Sequence, residues 1–141
     1  MPEDQIAVSK RVIEEGFNQG NLDVVDELCT EGFVGHDPVA GEQDLAAAKA
    51  SISLYRSAFP DLHFTIEDAF ESGDKVALRW TGQGTFENEF MGLQPTHERG
   101  QPIHGITIDR FEGDKIAESW ASWDTLTLMR DLGAVPAEAA A

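Results

Sequence analysis

The hydrophobic period of this sequence changes once, and that change restricts the fold more than any other feature. Before position 60, apolar residues recur every three or four positions, as on helices that bury one face. From Leu62 onward, apolar residues alternate with polar ones, as in strands whose sheet buries one side. Helices followed by strands in separate blocks are typical of an α+β domain and argue against a parallel sheet of βαβ units.

The amino-terminal block predicts three helices. The first ends at Gly20, and the second begins with Asn21 as its N-cap. After an extended segment at 33–38, the third helix runs from about Gln43 to Ala58. It stops there because the residue before Pro60 avoids the helical region.

The second block predicts two hairpins with similar turns and a short last helix. Strands 62–71 and 76–81 form the first hairpin, and strands 103–111 and 115–123 form the second. We expect a cone-shaped, curved, mainly antiparallel (mixed) β-sheet wrapped on the three amino-terminal helices, with a pocket at its open end. We expect a single domain over 1–135 and a flexible tail at 136–141.

Composition excludes several classes of partner. The 141 residues carry 10 Lys and Arg against 26 Asp and Glu, a formal net charge of −16, so we expect no nucleic acid or membrane partner. The single cysteine, Cys29, allows neither an internal disulfide nor a cysteine-based zinc site. The amino terminus lacks the apolar region of a secretory signal, and we expect a cytoplasmic protein.

Asp124 is the first candidate for catalysis. It follows Trp120 and Trp123 at the end of the last strand. Apolar surroundings disfavour the charged form of a carboxyl, so we expect a raised pKa that suits a general base. Alternatively, Asp124 is the N-cap of the helix that follows.

Histidines supply two further candidates. His104 shares a strand side with Ile106 and Ile108, where a neutral imidazole on a pocket wall could stabilise an enolate, or could be hydrogen-bonded within the sheet. His36 and Asp37 precede a proline, and we expect one of them to point into the cone as a catalytic group, with turn formation as the alternative. No second pair at ligand spacing accompanies them, so we predict no metal.

The substrate-binding candidates are one cation and several rings. Arg79 binds an enolate or carboxylate if its strand face lines the cone, and pairs with Glu67 or Glu71 if it lies outside. Aromatic residues in strands are usually core, but a cone places some on the cavity, where they suit a planar ligand. The candidate rings are Trp80, Tyr55, Phe86, Phe90 and Trp120.

Several short segments, taken in order, have a recognisable spacing. They are His36-Asp37-Pro38, Ala58-Phe59-Pro60-Asp61-Leu62, 73–80, 82–85, 91–96, and 114–120 with Asp124 and Leu132-Gly133 after it. Together they resemble the SnoaL-like polyketide cyclase family over roughly residues 5–135. Phe86 and Thr96-His97-Glu98 depart from the family's pattern near the pocket entrance.

The resemblance implies a fold and an activity. The fold is the nuclear-transport-factor-two-like α+β cone, and the activity is intramolecular aldol condensation without metal or cofactor. Asp124 matches the family's acid/base aspartate, and His104 matches its pocket histidine. The same fold also carries isomerases, dehydratases, hydrolases and binding modules.

Two functions therefore remain open. One is cofactor-free acid/base chemistry on a carbonyl compound, such as polyketide ester cyclisation, and the other is non-catalytic binding of an apolar molecule. In either case we expect a small apolar or aromatic ligand. We also expect a homo-oligomer, a dimer or tetramer, because open sheets often cover their outer face with a second copy.

Overall fold

The structure, a computed structural model, describes residues 4–135, so the predicted tail at 136–141 lies outside the described residues. The helices are α1 (Gln5–Arg11), which continues as a π-helical segment (Val12–Phe17), α2 (Asp23–Leu28), α3 (Leu45–Ala58) and α4 (Thr125–Asp131). The strands are β1 (Cys29–Asp37), β2 (Gly41–Gln43), β3 (His63–Ser72), β4 (Lys75–Gln83), β5 (Ile103–Glu112) and β6 (Lys115–Trp123).

Local sequence signals account for most helix boundaries. The carboxylate of Asp44 accepts a hydrogen bond from Ala47 N at 2.8 Å and so caps α3, which ends before Pro60 as predicted. The predicted side-chain cap at Asn21 is wrong. α2 begins at Asp23 without a side-chain cap, and Asn21 contributes only its carbonyl, to Val24 N at 3.3 Å.

The six strands form one curved sheet in the order β2-β1-β6-β5-β4-β3. Adjacent strands of the sheet are antiparallel, except that β1 and β6 are parallel. The predicted α+β class and mixed sheet are confirmed, and the sheet is not closed into a barrel. The segment before Pro38 is a longer strand than predicted, and β2 was not predicted.

The helices cover the inner face of the sheet through two apolar clusters. The larger joins α1, α2 and Ile52 of α3 to inward residues of β4, β5 and β6. The smaller contains Phe59, Phe86, Phe90 and Leu128 and lies between α3, the 82–102 connection and α4. Within residues 4–135, no helix has the length and apolar character needed to span a bilayer.

One glycine permits a close approach that shapes the inner face. A Cβ at Gly105 of β5 would overlap the ring of Trp80. Its absence lets the Trp80 ring lie over β5, where Nε1 donates a hydrogen bond to Thr107 Oγ1 at 2.9 Å. Trp80 is thereby held as one wall of the space between sheet and helices.

Candidate functional site

A cavity of about 240 Å³ lies between the inner face of the sheet and the helices. Most of its lining is apolar, including rings from α3, β3, β4 and β6. Such a concave, mainly apolar space with a few polar groups is the usual form of a small-molecule site. Its aromatic walls are Phe17, Phe33, Tyr55, Phe59, Phe64, Trp80 and Trp123.

Four polar side chains of the lining are grouped around Asp109, and we call this group the floor: Ser9, Cys29, Asp109 and Ser119. Asp109 is 6% exposed and Ser9 is fully buried. Ser119 Oγ donates a hydrogen bond to Asp109 Oδ1 at 2.8 Å.

Burial raises the pKa of Asp109 to about 6, although the Ser119 hydroxyl and the nearby Ser9 hydroxyl act to lower it. Burial, and secondarily the charge of Asp109, raise the pKa of the Cys29 thiol to about 12. The thiol is therefore neutral at physiological pH and has no thiolate reactivity.

The partly exposed side of the lining, which we call the rim, holds a second group of polar side chains: Asp37, Gln43, Tyr55, Gln101 and Asp131. Asp37 Oδ1 accepts from Trp123 Nε1 at 2.9 Å, and Oδ2 accepts from Val39 N and Ala40 N. Burial and the charge of Asp37 raise the pKa of Tyr55 to about 12. Burial also raises the pKa of Asp131, which accepts from Gln101 N at 2.8 Å.

Asp124 does not have the apolar surroundings that we expected. Its carboxylate lies outside the cavity and caps α4, accepting from Thr127 Oγ1 at 2.6 Å and Thr127 N at 3.1 Å. These hydrogen bonds hold its pKa below the ordinary value, so the expected rise is wrong and the alternative of a helix cap is confirmed.

His104 and Arg79 also lie outside the cavity, beside Asp124 in a shallow depression on the outer face. His104 does share its strand side with Ile106 and Ile108, but that side faces outward. Its Nδ1 lies 3.3 Å from Thr81 Oγ1. Arg79 Nε forms an ion pair with Asp68 Oδ2 at 2.6 Å. Arg79 therefore lies on the outer face, as one of the two alternatives had it, but its partner is Asp68 rather than Glu67 or Glu71.

His36 and Asp37 point to opposite faces of β1. Asp37 is turned to the cavity and also forms the predicted turn. His36 Nε2 lies 2.7 Å from Glu118 Oε2, and its ring stacks on Trp120 at 5.6 Å. The hydrogen bond from His36 holds the pKa of Glu118 below its ordinary value. His36 also borders the cavity, but its imidazole is engaged by Glu118 and Trp120.

The five predicted ring contacts divide into two groups. Tyr55 and Trp80 line the cavity. Phe86 and Phe90 are each 1% exposed within the smaller core cluster, and Trp120 lies on the outer face. Phe86 and Phe90 lie in the connection between β4 and β5, where the sequence has no regular alternation of apolar and polar residues that could predict which way their rings point.

The floor was missed because strand alternation does not say which side faces inward. On β5 the inward residues are Gly105, Thr107, Asp109 and Phe111, and the outward ones include Ile106 and Ile108. The more apolar side is therefore the outer one. The available signal was Asp109 itself, a carboxyl on the same strand side as Phe111. Among residues 4–135, no cluster of three or more His, Cys, Asp or Glu side chains could hold a metal ion.

Comparison with known proteins supplies a family for this architecture. The sequence model of the SnoaL-like polyketide cyclases matches residues 7–132. AclR of Streptomyces galilaeus, a provisionally assigned hydroxylase, is 28% identical, with 92% of this chain and 96% of that chain covered and a TM-score of 0.81. IdmH of Streptomyces antibioticus, a provisionally assigned polyketide cyclase, is 27% identical, with 93% and 99% covered and a TM-score of 0.81.

A more distant crystal structure agrees in fold. A SnoaL-like polyketide cyclase, provisionally so assigned, from Jannaschia sp. CCS1 is 22% identical, covers 96% of this chain and 99% of its own, and has a TM-score of 0.82. No curated protein sequence matches the chain. The family match spans nearly all of the described residues, and the fold is the nuclear-transport-factor-two-like cone. The chain belongs to the SnoaL-like polyketide cyclase family.

Proposed function

We propose that the protein is a cofactor-free enzyme that performs acid/base chemistry on a small carbonyl compound in the cavity. The reaction that the family relationship favours is ring closure by intramolecular aldol condensation. Such a reaction starts with loss of a proton beside a carbonyl, and a positioned acid/base group typically accelerates that step by about 10²–10⁴-fold. The folded substrate brings its own reacting carbons together.

The observation that supports this proposal is a buried carboxyl in an otherwise apolar cavity. A pKa near 6 leaves Asp109 mostly ionised at neutral pH, yet basic enough to accept a proton. A cavity that only stored an apolar molecule would have no use for this costly group. Tyr55 and Trp80 are proposed to contact the rings of the substrate, and Asp37 to contact a polar group at the rim.

The cavity volume restricts the substrate class. Ligand pockets usually measure about 300–1,000 Å³, and this one is about 240 Å³. We therefore propose a substrate of one or two rings.

The second candidate, a non-catalytic binding module, is favoured by one observation. Asp124, the residue that matches the family's acid/base aspartate, is a helix cap with a lowered pKa. If no other group replaces it, the cavity binds its ligand without turnover. The enzyme proposal therefore depends on a different acid in the cavity.

Proton exchange separates the two candidates. The α-protons of 2-tetralone, a two-ring ketone, are followed by NMR in D₂O with and without the protein. An enzyme exchanges them at least about a hundredfold faster than buffer. Binding of 2-tetralone, measured by calorimetry, with exchange at the buffer rate would instead identify a binding module.

A second copy of the chain is the proposed protein partner. Four apolar residues are exposed on the outer face of the sheet, opposite the helices: Phe70, Ile106, Ile108 and Trp120. Ile108 pairs in register with Trp120 on β6 and with Ala77 on β4, which itself pairs with Phe70. A contiguous apolar strip of this kind is typical of an interface.

A further inference from the structure

Two polar side chains from different elements converge on the floor of the cavity. Ser9 comes from α1 and Asp109 from β5, and both line the cavity. The Ser9 hydroxyl lies on the Asp109 side of the cavity and, as a donor directed towards that carboxyl, acts to lower its pKa. Even so, Ser9 Oγ is fully buried and makes no hydrogen bond of ordinary geometry within the described residues.

A buried hydroxyl without a hydrogen bond of ordinary geometry is unusual. Buried polar atoms almost always have a hydrogen-bond partner, so an exception indicates a missing ligand or water. A hydroxyl can donate one hydrogen bond and accept two. Because no hydrogen bond of ordinary geometry fixes it, the Ser9 hydroxyl can turn its one proton from Asp109 towards a group that enters the cavity, beside a carboxyl that could accept a proton from the same molecule.

Building on the proposed function, we propose that Ser9 binds the carbonyl oxygen of the substrate and that Asp109 is the catalytic base that removes the neighbouring α-proton. In that step the C–H bond breaks, and its electron pair forms the C=C bond of an enolate. Negative charge moves to the oxygen that Ser9 contacts, and a new O–H bond forms on Asp109. The O–H donor is thus placed where charge develops.

Ser119 is the positioning residue for this base. Its hydroxyl donates to Asp109 Oδ1, so the carboxylate cannot rotate freely. Asp109 is surrounded by Ser9 of α1, Cys29 of β1, Ser119 of β6 and its β4 neighbour Val76. Of these four neighbours only Cys29 is titratable, and because its pKa is about 12 its thiol is neutral near pH 7. The pH dependence of the floor near neutrality is therefore that of Asp109.

The first test uses two ligands that differ by one carbonyl. 2-Tetralone and tetralin have the same carbon skeleton, and calorimetry gives the affinity of each. We expect the wild type to prefer 2-tetralone by about fivefold, the effect of one neutral hydrogen bond. Ser9→Ala should abolish this preference while leaving the affinity for tetralin unchanged, and Ser53→Ala on the exposed side of α3 should preserve it. An unchanged preference in Ser9→Ala would overturn the proposed role of Ser9.

The second test follows α-proton exchange in 2-tetralone. We expect Asp109→Asn to bind 2-tetralone but to lose exchange. We expect Ser119→Ala to retain exchange with its pH midpoint moved upward, because a hydrogen bond that lowers the pKa of Asp109 is gone. Ser122→Ala, on the outward side of the same strand, should leave the midpoint in place.

The outcomes separate the two proposals. If the wild type exchanges and both Asp109→Asn and Ser119→Ala match it, the assignment of Asp109 fails while the proposed function stands. If the wild type does not exchange but its preference for 2-tetralone depends on Ser9, the enzyme proposal and Asp109's role as base fail, and only the proposed Ser9 contact stands.

Discussion

Asp109 and Ser119 lie directly opposite each other on β5 and β6, and the serine hydroxyl donates to Asp109 Oδ1 at 2.8 Å inside the cavity. This pair places an oriented, buried carboxyl on the wall of an apolar space. Burial makes its charged form costly, and that cost is what gives it useful basicity. The same cost has a measurable effect on folding.

The pH dependence of stability is the first prediction. Burial raises the pKa of Asp109 from 3.8 to about 6, so the folded state retains a proton that the unfolded state has lost. The stability contributed by this group is complete below about pH 4 and is lost as the pH rises through about 6. The loss amounts to about 3 kcal/mol. We expect the free energy of unfolding of wild type relative to Asp109→Asn to fall by that order over this range. Urea denaturation at a series of pH values measures it, and a constant difference would contradict the burial of this carboxyl.

The cap of α4 provides the second prediction. Asp124→Ala removes two hydrogen bonds to Thr127 and should lower the free energy of unfolding by about 1 kcal/mol. Asp124→Asn should have a smaller effect, because asparagine caps helices nearly as well. Urea denaturation near neutral pH compares the two variants. A more stable Asp124→Ala protein would indicate a carboxylate deprived of water, contrary to the structure.

The third prediction concerns the outer face of the sheet. We expect the wild type to form dimers and Ile108→Glu to be monomeric, because the substitution places a charge between Ala77 and Trp120 in the apolar strip. Leu126→Glu is the matched control, since Leu126 is an exposed leucine on α4 rather than on the sheet. Sedimentation velocity measures the assembly. A monomeric wild type at all concentrations would show that the strip is not a self-association surface.

The fourth prediction concerns the wall formed by Trp80. Gly105→Ala introduces a methyl group into the space that the Trp80 ring occupies, so we expect a loss of about 1–3 kcal/mol in the free energy of unfolding. Gly32→Ala is the control, because a Cβ at Gly32 meets no atom within 4 Å. Equal stability of the two variants would show that the ring moves aside without cost.

Much of the fold follows from local patterns in the sequence. The change from helical to alternating period locates α3 and the two hairpins, and Pro60 and the Gly-Asp turns mark their ends. The parallel pairing of β1 with β6 could not be predicted, since it joins residues more than eighty positions apart. Nor could the bulge between Ile66 and Asp68, which turns Phe70 outward although simple alternation groups it with Phe64.

The site was less predictable than the fold for one physical reason. Alternation identifies the two sides of a strand, but the side that faces the helices is decided by tertiary packing. On β5 the isoleucine side faces outward and the side with Asp109 faces the cavity. From the sequence alone, the isoleucine side of β5 is predicted to face the cavity, and this favours His104, on that side, rather than Asp109 on the other. The resemblance to a family added Asp124, whose surroundings only the structure could show.

The role of Asp109 as the base is tested most directly by the rate of α-proton exchange in 2-tetralone, measured by NMR in D₂O for wild type, Asp109→Asn and Asp124→Asn under identical conditions. We expect fast exchange in wild type and Asp124→Asn, and exchange at the buffer rate in Asp109→Asn with 2-tetralone still bound. Loss of exchange in Asp124→Asn together with its retention in Asp109→Asn would contradict that role.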